Sequence, residues 1–293
     1  MNQRPTILVF DSGLGGLTVF REIVKVRPDA CYVYVADDAF FPYARRSEEQ
    51  LVGRIVPLME RLIATHAPDL VVIACNTAST LVLPHLRARL AVPFVGTVPA
   101  VKPACMASRS RLVSVLGTEA TVQREYTRAL IRDFGHGCDV TLVGAVHLAG
   151  LAEAALRGDA INEDDIAREI APCFVTSDDR RTDTIVLGCT HYPLLLDQLV
   201  RLAPWPVDWL DPAPAIARRV TDLIGPAAPN MSSGAARAIF TSGREPPPTL
   251  AAALAQFGIG QMAVGVGVGE LSTGWEQQKR PPQDSSTPRF GAK

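Results

Sequence analysis

The chain has 293 residues, 47% hydrophobic and 20% charged, which is enough apolar material for two ordinary domains and excludes a disordered chain. Its 29 basic and 30 acidic side chains leave a net charge of −1, so no basic field is offered to nucleic acid or an anionic membrane. The first apolar run is too short for a signal peptide, no segment reads as a membrane span, and the six cysteines form no C-x-x-C pair, which points to a cytoplasmic protein with free thiols, no metal site and no disulfide framework.

In chain order, residues 7–10 read as a strand running into Asp11-Ser12-Gly13-Leu14-Gly15-Gly16, followed by a helix to about residue 26. The glycines suit a sharp turn that approaches a ligand. The dinucleotide fingerprint fails, however, because Thr18 stands where its third glycine belongs. Residues 31–36 form a second strand and lead into loop 37–46, whose Phe40, Phe41 and Tyr43 are costly to leave in water and are expected to fold over something. Ser47-Glu48-Glu49 opens a helix to about residue 66. Residues 69–77, Asp-Leu-Val-Val-Ile-Ala-Cys-Asn-Thr, are a short apolar run between polar ends, the pattern of a strand buried on both faces of a parallel sheet. A polar turn, a helix near 84–90 and a proline-marked hinge at 93–103 follow.

A second unit then begins: strand 112–116, polar turn 117–121, a helix through 133, strand 140–143, helix 148–156 carrying Glu153, and a helix from 163 to about 175. Residues 183–191, Asp-Thr-Ile-Val-Leu-Gly-Cys-Thr-His, repeat the 69–77 pattern in register. After prolines at 204, 206, 212 and 214, strand-like 207–210, a helix to about 224, strand-like 236–241 and a helix near 249–257 are expected to return to the first domain. The expected fold is α/β, with two similar open-sheet α/β domains in a pseudo-symmetric arrangement and the active site in the cleft between them. The first domain spans 1–97 plus 208–270, the second 98–207, and 271–293 form a loose tail.

Each copy of the repeat delivers a cysteine, Cys75 or Cys189, to the carboxyl end of its strand, where open α/β sheets bind ligands. Two facing thiols suit inversion of a carbon that bears a hydrogen, which needs a base on one face and an acid on the other. Each cysteine also precedes a helix start, which favours the thiolate. An amino-acid Cα–H is a poor acid, so hydrogen bonds must take up charge on the substrate carboxylate. Asn76, Thr77, Thr118, Thr121 and Thr190 are the available donors. Asp11 and Ser12 are placed to take an α-ammonium, and His191 to exchange a proton with Cys189.

The segments around Asp11–Val19, Ala74–Ser79 and Leu187–Leu194 resemble the three signature motifs of the glutamate racemase group within the cofactor-independent aspartate/glutamate racemase family. Residues 98–104 and 117–122 are similar to that family as well. The resemblance implies conversion of L-glutamate to D-glutamate for peptidoglycan and cell shape, with no cofactor, in a cytoplasmic homodimer. By the family's assignment, Cys75 takes the proton from the D-enantiomer and Cys189 from the L-enantiomer. Asp11, His191 and Glu153 assist, and substrate is bound by Asp11-Ser12, Tyr43-Ala44, Asn76-Thr77 and Thr190-His191. Two departures stand out. Ala44 replaces the family's usual glycine, which matters only if the turn needs positive φ. Val146-His147 replace a frequent Cys-Pro.

Cys31, Cys105, Cys138 and Cys173 read as inert packing. His66, His85 and His136 read as surface or helix-end residues, with His147 undecided. Glu153 by its pattern alone reads as a solvated helix residue, and Thr118 and Thr121 as N-caps. Three alternatives stay open from the sequence: a racemase for aspartate or a hydantoin, a thiol redox protein using Cys75 and Cys189, and a carboxylate-binding regulator without turnover.

Overall fold

The structure is a computed structural model that describes residues 4–135, 137–228 and 232–265. The first unit contains β1 (Thr6–Asp11), α1 (Leu17–Val26), β2 (Cys31–Ala36), α2 (Glu48–His66), β3 (Leu70–Ile73), α3 (Asn76–Leu81), α4 (Leu83–Arg89) and β4 (Phe94–Gly96). Next come α5 (Val101–Ala107), β5 (Leu112–Thr118), α6 (Glu119–Gln123), α7 (Glu125–Phe134), β6 (Asp139–Ala145), α8 (Leu148–Arg157) and α9 (Glu163–Ile170). A small hairpin of β7 (Thr176–Ser177) and β8 (Arg180–Arg181) precedes β9 (Thr184–Gly188), α10 (Leu196–Leu202) and β10 (Asp208–Leu210). α11 (Ala213–Ile224), β11 (Ala236–Phe240), α12 (Pro248–Gln256) and β12 (Gln261–Val264) complete the described chain.

Two parallel sheets result, ordered β12-β11-β2-β1-β3-β4 and β10-β9-β5-β6. Four strands correspond one to one: β2-β1-β3-β4 in the first sheet match β6-β5-β9-β10 in the second, in the same chain order apart from the inserted hairpin. Every residue of β1, β2, β3, β5 and β9 is buried, as strands must be when helices cover both faces. On one side of the first sheet Val9 packs with Phe20, Ile23, Ile216 and Leu254; on the other, Leu8 and Phe10 pack with Leu58 and Met59.

The aspartate that opens each repeat has one mechanical role in both copies. Asp69 Oδ2 accepts the Thr6 backbone N–H at 2.7 Å, fastening the start of β3 to the start of β1. Asp183 does the same before β9, accepting from the Ser108 hydroxyl at 2.6 Å and from the backbone N–H groups of Arg109 and Ser110, each at 2.8 Å. Burial works against the Asp183 carboxylate, yet these donors hold its pKa down at about 2.

Several expectations are corrected. β10 pairs with β9, so the crossing back to the first sheet follows Leu210 rather than falling at 208. The turn expected after Cys75 is already helix α3, and the 93–103 hinge contains β4 and the start of α5. The helix expected through 133 breaks at Arg124, and α9 stops at Ile170 just ahead of Pro172, which cannot donate to a continuing helix. The β7–β8 hairpin has two-residue strands without an apolar side chain, and β12 is a four-residue, largely exposed edge strand, so neither is legible in the sequence. The tail and His136 lie outside the described residues. His66 does sit at a helix end, but it is buried, with Nδ1 2.8 Å from Arg237.

Asp183→Ala should cost about 1–3 kcal/mol, since it strips several donors of a charged acceptor, and more than Asp69→Ala, which loses a single bond. Urea denaturation at neutral pH reads the difference. Because the folded carboxyl is depressed, this contribution should be present above about pH 4 and disappear as pH falls toward 2; equal loss from Asp183→Ala at all pH values contradicts the assignment.

Candidate active site

The carboxyl ends of the two sheets converge on a cavity of about 280 Å3. Cys75 leaves β3 as the N-cap of α3, Cys189 follows β9, and both line this one cavity at 7% exposure each. The expected ligand residues Ser12, Tyr43, Ala44, Asn76, Thr77, Thr118, Thr121, Thr190 and His191 line it too. Thr118 is both cap and wall: its hydroxyl oxygen accepts the Thr121 N–H at 3.2 Å and sits 2.9 Å from the Thr121 hydroxyl. Both polar atoms of the Asn76 side chain are buried without a hydrogen-bond partner among the described residues, an arrangement that a bound polar ligand relieves.

Asp11 and Glu153 stand behind the wall rather than in it. Asp11 is fully buried, accepting the Gly13 N–H at 3.0 Å and the Thr190 hydroxyl at 3.4 Å. Glu153, 2% exposed, is no solvated helix residue. Its Oε1 accepts the Leu14 N–H at 2.8 Å and lies 3.1 Å from His191 Nε2, while Oε2 pairs with Arg157. The other ring nitrogen, Nδ1, is 3.7 Å from the Cys189 sulfur.

These contacts separate the two thiols chemically. Burial, with the Asp11 charge adding to it, pushes the Cys75 thiol up to about 12, so the free site holds Cys75 protonated. The helix start still favours a thiolate at Cys75, but α3 is only six residues long and burial is the larger influence. On the other side, burial opposes a charged His191 ring, but its bonds to Cys189 and Glu153 outweigh this and raise its pKa well above the usual histidine range. Glu153 is correspondingly lowered: burial opposes its ionisation, and the His191 bond and charge, the Leu14 N–H and Arg157 reverse the balance. An imidazolium at this distance is the partner a thiolate needs.

Loop 37–46 folds over the site as its aromatics required. Phe41 lines the cavity and stacks obliquely on His191, ring centroids 5.6 Å apart. The Tyr43–Arg45 turn brings Tyr43 and Ala44 to the wall, and Ala44 is not among the positive-φ residues, so glycine is not needed there. Sequence reasoning missed what fixes this loop. Asp37, fully buried just past β2, accepts the Tyr43 hydroxyl at 2.6 Å, Arg54 at 2.6 and 3.2 Å, and the Thr241 hydroxyl at 2.6 Å. It stands one residue past Ala36, the register partner of Asp11, so β1 and β2 each bring an aspartate to the same edge of the sheet.

Residues 9–220 match the family model described as Asp/Glu/Hydantoin racemase. A glutamate racemase of Brucella canis is 59% identical over 223 residues, 76% of this chain and 80% of the relative. Among solved structures, Escherichia coli glutamate racemase, crystallised with L-glutamate and the activator UDP-MurNAc-Ala, superposes with a TM-score of 0.82 at 37% identity, covering 91% of this chain and all of that one. Glutamate racemase isoform RacE1 of Bacillus anthracis gives 0.74 at 26% identity, covering 92% and 99%.

Asp37→Ala should lower stability by about 2–3 kcal/mol, because three donors, one of them the half-exposed Arg54, lose a buried charged acceptor. Thermal unfolding measures it, and an unchanged melting temperature removes Asp37 as the anchor of the loop.

Proposed function

The chain belongs to the Asp/Glu/Hydantoin racemase family, and from that premise we propose that it interconverts L- and D-glutamate by moving a proton across Cα between two cysteines. The observation that carries this reading is a single cavity walled by Cys75 and Cys189 from pseudo-equivalent strand ends. The relatives named glutamate racemase favour glutamate over aspartate or a hydantoin.

In the L-to-D direction the Cys189 thiolate, beside the His191 imidazolium, takes the Cα proton. The electron pair left behind spreads into the α-carboxylate. Asn76, Thr77, Thr118, Thr121 and Thr190 are the neutral donors available to it, and Asn76 has two unused polar atoms. The Cys75 thiol then returns a proton from the opposite face. The pair ends as Cys75 thiolate and Cys189 thiol, so the reverse reaction runs with roles exchanged. A resting site with the proton on Cys75 is already set for the L-enantiomer, which agrees with the assignment of Cys189 to that substrate. Asp11, close enough to Cys75 for its charge to raise the thiol, serves that side. Glu153 serves the other by holding His191. Ser12, Tyr43 and Ala44 complete the substrate wall.

The reading extends to supply of D-glutamate for peptidoglycan, a cytoplasmic location and a homodimer. All six cysteines are free thiols, which suits a reducing compartment. No helix among the described residues is long and apolar enough to cross a membrane.

Incubation with L-glutamate in heavy water should place deuterium at Cα as optical rotation is lost; recovery of unlabelled L-glutamate rejects the reading. Cys75→Ala should suppress both directions by on the order of 10^3-fold or more, and near-normal turnover would remove Cys75 from the mechanism. His191→Asn should slow L-to-D conversion by ~10^2-fold and the reverse less. Because the His191 pKa is raised, wild-type L-to-D activity should persist above the ordinary histidine range and fall only as the imidazolium is lost at alkaline pH; the His191→Asn profile should lack that limb.

A further inference from the structure

Resting on the glutamate reading, we infer that Arg45 is a specificity-determining residue whose charge, at the mouth of the cavity, favours an amino acid with a second carboxylate and is opposed by Glu119 on the facing unit. Glutamate carries two carboxylates against one ammonium, and the site is unwelcoming to such an anion. Asp11 and Glu153 are buried behind its walls, Glu119 lines it, and the catalytic cycle keeps one thiolate inside. The interior donors Asn76, Thr77, Thr118 and Thr121 offer hydrogen bonds but no net charge. His191 is a cation already engaged by Glu153 and Cys189.

Of the described residues lining the cavity, Arg45 is the single lysine or arginine. Its neighbours are committed elsewhere. Arg46 lies 4.2 Å over the Phe40 ring and donates to the Phe40 carbonyl, and Arg54 is bonded to Asp37. Arg45 and Glu119 are both exposed, and neither enters an ion pair among the described residues. Arg45 ends the turn that carries Tyr43 and Ala44, while Glu119 opens α6 directly after Thr118. The Arg45 turn and the start of α6 pack against each other, so the two units place opposite charges side by side on the cavity wall. A rim charge of this kind changes affinity for an anion by about two- to fivefold and is sensitive to salt.

The test measures turnover kinetics and, by calorimetry on the full chain, binding of D-glutamate and of its neutral isostere D-glutamine. Arg45→Gln should raise KM and Kd for glutamate about two- to fivefold, with kcat within twofold, and flatten the salt dependence of binding. Affinity for glutamine should not move. Arg45→Lys should restore glutamate binding, and Glu119→Gln should tighten it. Equal shifts for glutamate and glutamine, or no recovery with lysine, would mark Arg45 as structural and overturn the inference. So would a wild-type enzyme that does not bind glutamate. If glutamate binds with the expected charge dependence but is not racemised, the proposed function fails and the assignment of Arg45 stands.

Discussion

One carboxylate oxygen joins the two halves of this molecule. Glu153 Oε1 sits between the Leu14 N–H of the first unit and the His191 ring of the second, at 2.8 and 3.1 Å. The same contact fixes how the units meet and how the imidazole is aimed at Cys189. It also explains the glycine turn after β1. A Cβ at Gly13 would strike the Glu153 carboxylate, and one at Gly15 would strike the His191 ring. The turn is glycine-rich because a neighbouring protein domain comes this close, which is the same physical demand that a phosphate makes on a nucleotide-binding loop. A G-x-G after a strand reports close approach, and the identity of what approaches has to come from elsewhere.

Symmetry of the backbone does not extend to the chemistry. The strands carrying Cys75 and Cys189 occupy equivalent places in their sheets, and each repeat opens with an aspartate stapling the strand to its neighbour. The difference lies two residues beyond each cysteine, where one copy has Thr77 and the other His191. That substitution brings an imidazole, and through it Glu153, to a single side. Burial then dominates at Cys75 and keeps its proton, while a paired cation stands at Cys189. Near-equal scaffolds thereby give the two thiols unequal surroundings, which suits a proton transfer that begins with one acid and one base.

Much of this was legible in the sequence because it depends on local pattern. Doubly buried strands read as continuous apolar runs, and the repeat of 69–77 at 183–191 announced two cysteine edges. What failed depended on long-range partners. Glu153 has the look of any helix carboxylate paired with an arginine one turn on, since its partners at the site, Leu14 and His191, lie 139 and 38 residues away in sequence. Asp37 reads as loop punctuation until Arg54 and Thr241 close around it. The prolines that flank β10 resemble a domain crossing and mask its place beside β9, which the plan of the first unit implies, since there β4 follows the cysteine strand and its helices. Which of the two cysteines keeps its proton is not legible in the sequence, because both precede a helix and only the fold shows the burial that opposes the helix end at Cys75.

The division of the site between units has a mechanical consequence. The first unit supplies Ser12, Tyr43, Ala44, Cys75, Asn76 and Thr77, and the second supplies Thr118, Thr121, Cys189, Thr190 and His191. Neither half alone offers a proton donor to both faces of a carbon. The bonds crossing between them near the site are polar: Leu14 to Glu153, the Thr18 hydroxyl to the Thr190 carbonyl at 3.1 Å, and the Thr190 hydroxyl to Asp11. These bonds are buried, and an apolar contact supports them away from the site, where Leu156 of α8 packs on the core of the first unit beside α12. The seam therefore holds the two walls of the cavity in register, each wall backed by its own sheet and core. Through the Leu14–Glu153–His191 chain, the imidazole beside the second thiol takes its position from the turn that follows β1, so the first unit helps to aim the chemistry of the second.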